Sequence, residues 1–345
     1  MRTLLNVSLL FVVLTVSGMA GAEDFTPYTH FPVTARYNVV GTAVPNGRLL
    51  LWNGDKVFLQ SRPDADEFNE IASGYAGDPA FLILSPDGHT ALLGAGGYGT
   101  DTYVDKIYRF DVNQPGDFGP ESTAATISHY GAAFLTETLV LIDAGAGDWT
   151  NSLLVVLDIS GAKSAPIAVV RKPAAKAGTV LNKPGYSAAL TVDYANDMAY
   201  VMDGTSLELR SFSVQALVDA YAGHTLLDWT ADGTLIGSAG QYFNGGVSGM
   251  TLDGNLVIGG AFGWGLDGGI QLVNPANGVI VDTLDPSGEQ AYTSVIVNSV
   301  TGRITAVASG TTYVQGAFTV LPAVGGFGLI VLCAALVAAR SRKRP

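Results

Sequence analysis

Three glycine-rich segments of the sequence each place an aromatic side chain close to a carboxylate. The pairs are Tyr98 with Asp101, Trp149 with Asp148, and Trp264 with Asp267. Aromatic rings offer large apolar faces, and carboxylates accept hydrogen bonds from hydroxyl groups or hold Ca²⁺. We therefore predict a shallow binding site for a glycan or a peptide at these segments. The alternative is that the rings pack within their own loops and the carboxylates cap turns.

Five further polar residues are candidate ligands for a cation, because each lies near the start of a predicted strand. They are Asn38, Asp78, His129, Asn244 and Glu289. Calcium takes oxygen ligands at about 2.3–2.6 Å, so three or more of these residues would have to converge on one point. Such a site would indicate a hydrolase or lyase that depends on Ca²⁺. We expect no other cofactor.

Motifs that commonly carry catalysis are missing from the sequence. There is no HExxH, GxSxG or CxxC pattern, and the one cysteine, Cys333, lies near the C-terminus. A GxGxxG match from Gly94 to Gly99 leads into a predicted strand, whereas a dinucleotide site needs a helix at that point. We therefore favour a non-enzymatic binding or adhesion module, and the calcium-dependent enzyme is the alternative.

The charge balance excludes one class of partner. The chain has 18 basic and 30 acidic residues, and without the five basic residues at its two ends the remainder carries 13 against 30, a net charge of −17. Nucleic acid is therefore not expected as a partner, because phosphate binding needs clustered Lys and Arg. One stretch, from Ile159 to Val192, has five basic residues and no acidic one. It is either a solvated edge or a surface that attracts an acidic polysaccharide.

The elements that would position these residues follow one repeated pattern through residues 37–320. Each repeat has an apolar strand, a tight turn, a second apolar strand that ends in glycine, a loop, and a third strand. The turns fall near Gly47, Gly88, Glu137, Asn196, Gly254 and Gly302, at intervals of 41 to 59 residues. Such a period predicts an all-β propeller, whose four-stranded blades take about 40–50 residues each. Six blades are visible.

The segment between the fourth and fifth turns is long enough to raise the question of a seventh blade. A seventh blade would have to lie hidden between Asn196 and Gly254. That gap includes a helix signal from Ser213 to Gly223, with a serine cap, apolar residues at helical spacing and a terminal glycine. We interpret it as an insertion in the fourth blade. Residues 28–36 are predicted to complete the last blade and close the ring.

The turn sequence Ser85-Pro86-Asp87-Gly88-His89, followed by a strand, resembles the inner hairpins of lactonase-like, NHL and WD-repeat β-propellers. The resemblance implies a propeller fold for most of residues 23–320. It does not decide the function, because propellers include both enzymes and binding platforms.

Both ends of the chain read as targeting segments. Residues 1–22 have a basic start, an apolar run and small residues before Glu23, which is typical of a cleaved signal peptide. Residues 321–345 contain an uncharged stretch from Leu321 to Ala339, followed by the basic tail RSRKRP, which predicts a transmembrane anchor. The sequence thus predicts an exported protein whose domain of residues 23–320 stands outside the cytoplasm.

The C-terminal layout of short motif, apolar helix and basic cluster resembles bacterial sorting signals of the LPxTG and PEP-CTERM kinds. The motif residues would be Leu321, Pro322, Gly325 and Gly326, with Val324 where LPxTG has Thr. The resemblance implies processing by a sortase-like or exosortase-like enzyme, and a plain membrane anchor is the alternative. Expected partners are therefore the membrane, this processing enzyme, and a polysaccharide or another surface protein.

Overall fold

The structure is a computed structural model that describes fifteen segments of the chain. These are residues 26–27, 39–63, 65–75, 77–96, 106–113, 123–126, 131–145, 152–161, 165–173, 190–203, 208–238, 246–260, 269–284, 291–309 and 314–320. The predicted signal peptide, anchor and sorting motif Leu321, Pro322, Gly325 and Gly326 lie outside these residues. Within the described segments, no helix has the length and apolar character needed to span a membrane.

The strands of the described segments form six sheets, numbered here in chain order. Sheet 1 contains β2 (Val40–Ala43), β3 (Leu49–Trp52), β4 (Lys56–Gln60) and β5 (Phe68–Ser73). Sheet 2 contains β6 (Asp78–Leu84), β7 (Thr90–Gly96), β8 (Lys106–Asp111) and β9 (Thr123–Thr126). Sheet 3 contains β10 (Gly131–Phe134), β11 (Leu139–Gly145), β12 (Ser152–Asp158), β13 (Ile167–Arg171) and β17 (Leu227–Asp228).

The second half of the chain repeats the arrangement. Sheet 4 contains β14 (Leu190–Asp193), β15 (Met198–Asp203), β16 (Glu208–Ser213) and β18 (Thr234–Ser238). Sheet 5 contains β19 (Gly246–Met250), β20 (Leu256–Gly260), β21 (Gly269–Val273) and β22 (Ile280–Leu284). Sheet 6 contains β23 (Ala291–Val297), β24 (Ile304–Ser309), β25 (Val314–Val320) and β1 (Thr26–Pro27).

The first strands of the sheets stand side by side in a closed ring. Each of β2, β6, β10, β14, β19 and β23 contacts the next, and β23 contacts β2 again. The N-terminal strand β1 pairs with β25, so that Thr26 lies opposite Thr319 in the last sheet. The all-β propeller prediction is confirmed. The residues that close the ring are 26–27, whereas the predicted segment 28–36 lies outside the described residues.

Local turn chemistry explains the hairpin at the start of sheet 2. In sheet 2, the amide of Gly88 donates to the carbonyl of Ser85 at 2.8 Å, and Gly88 has φ of +76°. The carboxylate of Asp87 accepts hydrogen bonds from the Ser85 hydroxyl and from the amide of His89. A left-handed residue at the end of such a turn favours glycine, so the sequence specifies the turn directly.

Sheet 3 departs from the four-stranded pattern, so the number of regular four-stranded blades among the described residues is five and differs from the six that the sequence predicts. The structure has five regular four-stranded blades and one five-stranded sheet. The extra strand arises because the chain leaves sheet 4 after β16, forms helix α1 (Val214–Gly223), and pairs β17 with β13 before β18 returns to sheet 4. The predicted helix and its cap at Ser213 are confirmed. In the described part of residues 196–254, no strand belongs to a seventh sheet.

Candidate functional site

The apolar interface between sheets 3 and 4 ends in three charged side chains. Side chains two residues apart in a strand point to the same face. On the face that forms this interface, the last apolar side chain is followed by a charged one. Leu141 is followed by Asp143, Val170 by Lys172, and Val201 by Asp203, with the three apolar residues in one buried cluster. The charged residues therefore lie at the edge of this interface, where β11, β13 and β15 end.

Lys172 joins the two carboxylates. Its Nζ atom lies 2.6 Å from Oδ1 of Asp143 and 3.0 Å from Oδ1 of Asp203. The side chains are 2% exposed for Lys172 and 1% exposed for each aspartate. One ammonium group thus connects sheet 3 to sheet 4 in a setting from which water is excluded. We call Asp143, Lys172 and Asp203 the ion cluster.

Burial and charge act in opposite directions on the pKa values of the ion cluster. Burial raises the pKa of the Asp143 carboxyl, and its contact with Lys172 offsets this rise only in part. For Lys172, burial alone would lower the pKa of the amine, but the ion pairs with Asp143 and Asp203 outweigh that effect and raise the pKa above its ordinary value. The cluster holds two carboxylates against one ammonium group. Oδ2 of Asp143 has no hydrogen-bond partner among the described residues.

The fifth strand of sheet 3 helps to position Lys172. Its pairing places Arg171, the last residue of β13, opposite Asp228. The carbonyl of Arg171 also accepts a hydrogen bond from the amide of Trp229 at 3.2 Å. Trp229 is buried in the interface between sheets 3 and 4. The insertion therefore fixes the backbone immediately before Lys172.

A second polar group lies beside the ion cluster in sheet 4. Glu208 is paired across the strands with Asp203, and its Oε2 atom accepts hydrogen bonds from Arg210 Nε at 2.7 Å and Trp229 Nε1 at 3.0 Å. The hydrogen bond from Arg210 is the main reason that the pKa of Glu208 lies below its usual value. Arg210 also lies over the ring of Trp229, 5.9 Å from its centroid.

The ion cluster corrects one interpretation of the sequence. Lys172 belongs to the basic stretch from Ile159 to Val192, which was predicted to be either a solvated edge or a surface for a polyanion. It is instead buried and neutralised by two aspartates. The period of two marks only the aspartates, because Asp143 in β11 and Asp203 in β15 each continue a column of apolar side chains, whereas Lys172 follows the end of β13. The pairing between sheets could not be read from sequence spacing.

The predicted ligand-binding residues lie outside the described residues. This holds for Tyr98, Asp101, Asp148, Trp149, Trp264 and Asp267 alike. The segment that contains Asp148 and Trp149, residues 146–151, directly follows β11, and residues 204–207 directly follow β15. The ion cluster therefore lies at the base of two neighbouring loops on the side of the ring opposite the hairpin turns.

The predicted calcium ligands remain a prediction. Asp78 is the first residue of β6, while Asn38, His129, Asn244 and Glu289 lie outside the described residues. Across the segments that the structure covers, there is no group of three or more His, Cys, Asp or Glu side chains arranged to hold a metal ion.

A cavity of about 580 Å³ runs between the inner strands of all six sheets. Its wall includes the hydroxyl residues Thr42, Thr191, Ser248 and Ser294 among mainly apolar neighbours. On the hairpin-turn side, three large apolar residues are exposed in successive sheets: Tyr194 (52%), Leu252 (67%) and Val300 (53%).

The comparisons with known proteins identify the class by its fold. No protein-family model matches the chain, and no curated protein matches its sequence. Among solved structures, it is similar to the calcium-binding protein regucalcin from Agrobacterium tumefaciens, with a TM-score of 0.52 and 10% identity over 86% of this chain and 93% of that chain. It is also similar to a gluconolactonase from Xanthomonas campestris, with a TM-score of 0.51 and 11% identity over 88% and 98% of the two chains.

A third similar structure is the Swd1 β-propeller domain from Myceliophteria thermophila, with a TM-score of 0.50 and 10% identity over 87% and 100% of the two chains. At such low identities, the likeness shows the fold alone. The predicted resemblance to lactonase-like and WD-type propellers is therefore confirmed as a fold, and the chain is a β-propeller protein.

Proposed function

We propose that this protein is an exported, envelope-anchored β-propeller that binds a surface polysaccharide through the loops between the second and third strands of its sheets. The observation that supports this proposal is the ion cluster, which fixes the starting points of two neighbouring loops with one buried lysine. When the backbone at the start of a loop is already held in place, the loop loses less conformational entropy on binding a ligand. The loop after β11 carries Asp148 and Trp149.

The charge of this region favours a neutral polysaccharide over an acidic one. The attraction for a polyanion depended on the basic stretch that includes Lys172, and that ammonium group is buried against Asp143 and Asp203. The rest of the domain is strongly acidic. Ring stacking by Trp149 and Trp264, with hydroxyl groups bound by Asp148 and Asp267, needs no positive surface.

We further infer that all six sheets act as blades of the propeller. The support for this count is that six first strands form the closed ring, including β10 of the five-stranded sheet. Six blades would place six loops between second and third strands on one side of the ring. Binding could therefore use several weak contacts, of which Tyr98 with Asp101 would be another.

Substitution of the loop tryptophans tests the proposed binding. The variant Trp149→Ala/Trp264→Ala of residues 23–320 should lose binding on a glycan array and keep its thermal midpoint. Tyr194→Ala serves as the matched control, because it removes an exposed aromatic ring from the hairpin-turn side. The control should bind like the unchanged protein. Unaltered binding by the double variant would contradict the proposal.

The proposed anchoring has its own experiment. A chain that ends at Val320 should be released into the medium or periplasm, while the full chain should fractionate with the envelope. If a sortase-like or exosortase-like enzyme acts, mass spectrometry of the mature protein should show that the RSRKRP tail is absent. Equal release of both forms would contradict the proposed anchor.

The alternative is a calcium-dependent hydrolase or lyase with its site in the central channel. The specific reason to retain it is that regucalcin and gluconolactonase share the fold. Calorimetric titration with Ca²⁺ and an assay of lactone hydrolysis distinguish the two proposals. Tight Ca²⁺ binding and hydrolysis that are both lost in Asp78→Asn would favour the enzyme. Absence of both would favour the binding module.

A further inference from the structure

The ion cluster combines the groups that are needed to make an amide bond between two side chains. It has an amine, a carboxyl group in contact with that amine, a second carboxyl group that can carry protons, and almost no access for water. The Nζ atom of Lys172 contacts Asp143 at 2.6 Å and Asp203 at 3.0 Å. Groups held at contact distance react as if at very high concentration.

We propose that Lys172 and Asp143 become joined by an isopeptide bond, with Asp203 as the proton carrier. The bond would link β11 to the residue that follows β13, within sheet 3. Asp203 would remain a carboxylate on sheet 4, in contact with the new amide. This modification is independent of the ligand that the propeller binds.

Two observations indicate Asp143 as the carboxyl group that reacts. It makes the shorter contact with Nζ, and its Oδ2 atom has no hydrogen-bond partner among the described residues. No donor from those residues thus stabilises the second oxygen as an anion. Burial also raises the pKa of this carboxyl group, which favours the neutral acid that an amine can attack.

The reaction needs no oxidant, reductant or cofactor. A proton first passes from the Lys172 ammonium group to the Asp143 carboxylate, which leaves a neutral amine beside a neutral acid. The Nζ lone pair then forms a bond to Cγ of Asp143, and the Asp203 carboxylate takes a proton from the attacking nitrogen. Asp203 returns that proton to the departing hydroxyl group as the Cγ–O bond breaks. The products are one amide and one water molecule, and Asp203 is regenerated.

Burial favours this reaction because it removes charge from an apolar interface. An ammonium group and a carboxylate are costly to hold away from water, even as a pair. The amide replaces both with a neutral group, and the exclusion of water opposes its hydrolysis. The link would close a loop between residues that are 29 positions apart, which restricts the unfolded chain as a disulfide does. The predicted mature domain has no cysteine that could serve this purpose.

The chain also contains an internal comparison for this proposal. Lys56 and Glu70 form an ion pair at 2.7 Å, close to the distance between Lys172 and Asp143, but their side chains are 41% and 43% exposed. Water stabilises both ions there, and among the described ion pairs Lys56 Nζ contacts only the Glu70 carboxylate. We therefore expect this exposed pair to remain unlinked.

Mass spectrometry of the purified full chain, in denaturant, tests the proposal without any substitution. The expected mature protein is lighter by one water molecule than its sequence, and peptide mapping yields a branched peptide that contains residues 143 and 172. Peptides with Lys56 and Glu70 should be unbranched. An intact mass without this loss, together with linear peptides, would overturn the proposal. A branch between residues 172 and 203 would also overturn the assignment made here.

Substitutions then test the role of each group. Lys172→Arg keeps the positive charge and should show no loss of water. Asp203→Asn removes the proton carrier and should leave most of the chains unlinked. Asp143→Asn should lose ammonia in place of water, because the group that leaves Cγ is then the side-chain amide nitrogen. A linked Asp203→Asn protein with an unchanged extent of reaction would contradict the role of Asp203.

Discussion

Removal of the Lys172 charge should be one of the most damaging single changes to the stability of this propeller. In Lys172→Met, the apolar stem is largely preserved, but Asp143 and Asp203 lose the nitrogen that both contact, whether it is held as an ammonium group or as the amide proposed above, and two adjacent carboxylates are left buried. Each aspartate side chain is only 1% exposed, so neither can recover its hydration. Breaking a buried ion pair from one side typically costs about 3–5 kcal/mol. That is a large part of the roughly 5–15 kcal/mol that stabilises a domain.

Thermal unfolding of residues 23–320 measures this effect. With an unfolding entropy of about 2.1 cal/mol/K per residue, each kcal/mol shifts the midpoint of these 298 residues by about 1.6 °C, so we expect a fall of roughly 5–8 °C. Lys56→Met is the matched control. Its ion pair has a similar distance but is exposed, and water and salt screen such a pair so strongly that its loss should barely change the midpoint.

The triple variant Lys172→Met/Asp143→Asn/Asp203→Asn separates charge from packing. It removes the unpaired carboxylates, and uncharged replacements of buried ion pairs are often nearly neutral. Most of the stability lost in Lys172→Met should therefore return. A Lys172→Met midpoint within a degree or two of that of the unchanged protein would refute the reasoning about the ion cluster.

Two further predictions concern sheets 4 and 2. The pKa of Glu208 is lowered in the folded state by Arg210, so its stabilising contribution is present above pH about 4.5 and is lost as the pH falls through the lowered pKa. Urea unfolding of Glu208→Gln between pH 6 and pH 3 should thus depend less on pH, and an unchanged profile would count against this pairing. In sheet 2, a Cβ atom at Gly94 would lie 2.3 Å from the ring of Phe81, and Gly94→Ala should cost about 1–3 kcal/mol. Gly161→Ala, where nothing lies within 4 Å, should stay within about 0.5 kcal/mol of the unchanged protein; equal midpoints for the two variants would contradict the packing argument.

The sequence predicts the elements whose structure is determined locally. The hairpin turn at Gly88 and the helix capped by Ser213 follow from residues within a few positions of each other. The repeat length likewise predicts the propeller class, because each repeat contains the local signals for its own hairpin. Each hairpin has its own apolar pattern and its own turn.

The features that the sequence does not predict depend on contacts between distant segments. Strand β17 has two residues, and its pairing with β13 follows from where helix α1 packs rather than from any strand pattern. Lys172 looked like one of several surface cations, because Asp143 and Asp203 belong to strands that precede and follow it in different sheets. A buried charge of this kind can be predicted only when the neighbours across the interface are known.

We propose that the propeller binds its ligand through the side of the ring that carries the loops after β11 and β15. Hydrogen exchange of residues 23–320, with and without the oligosaccharide selected on the array, tests this most directly. When the ligand is bound, we expect slower exchange in residues 97–105, 146–151, 204–207 and 261–268. Protection confined to the hairpin turns around Tyr194, Leu252 and Val300, with none in those loops, would contradict it.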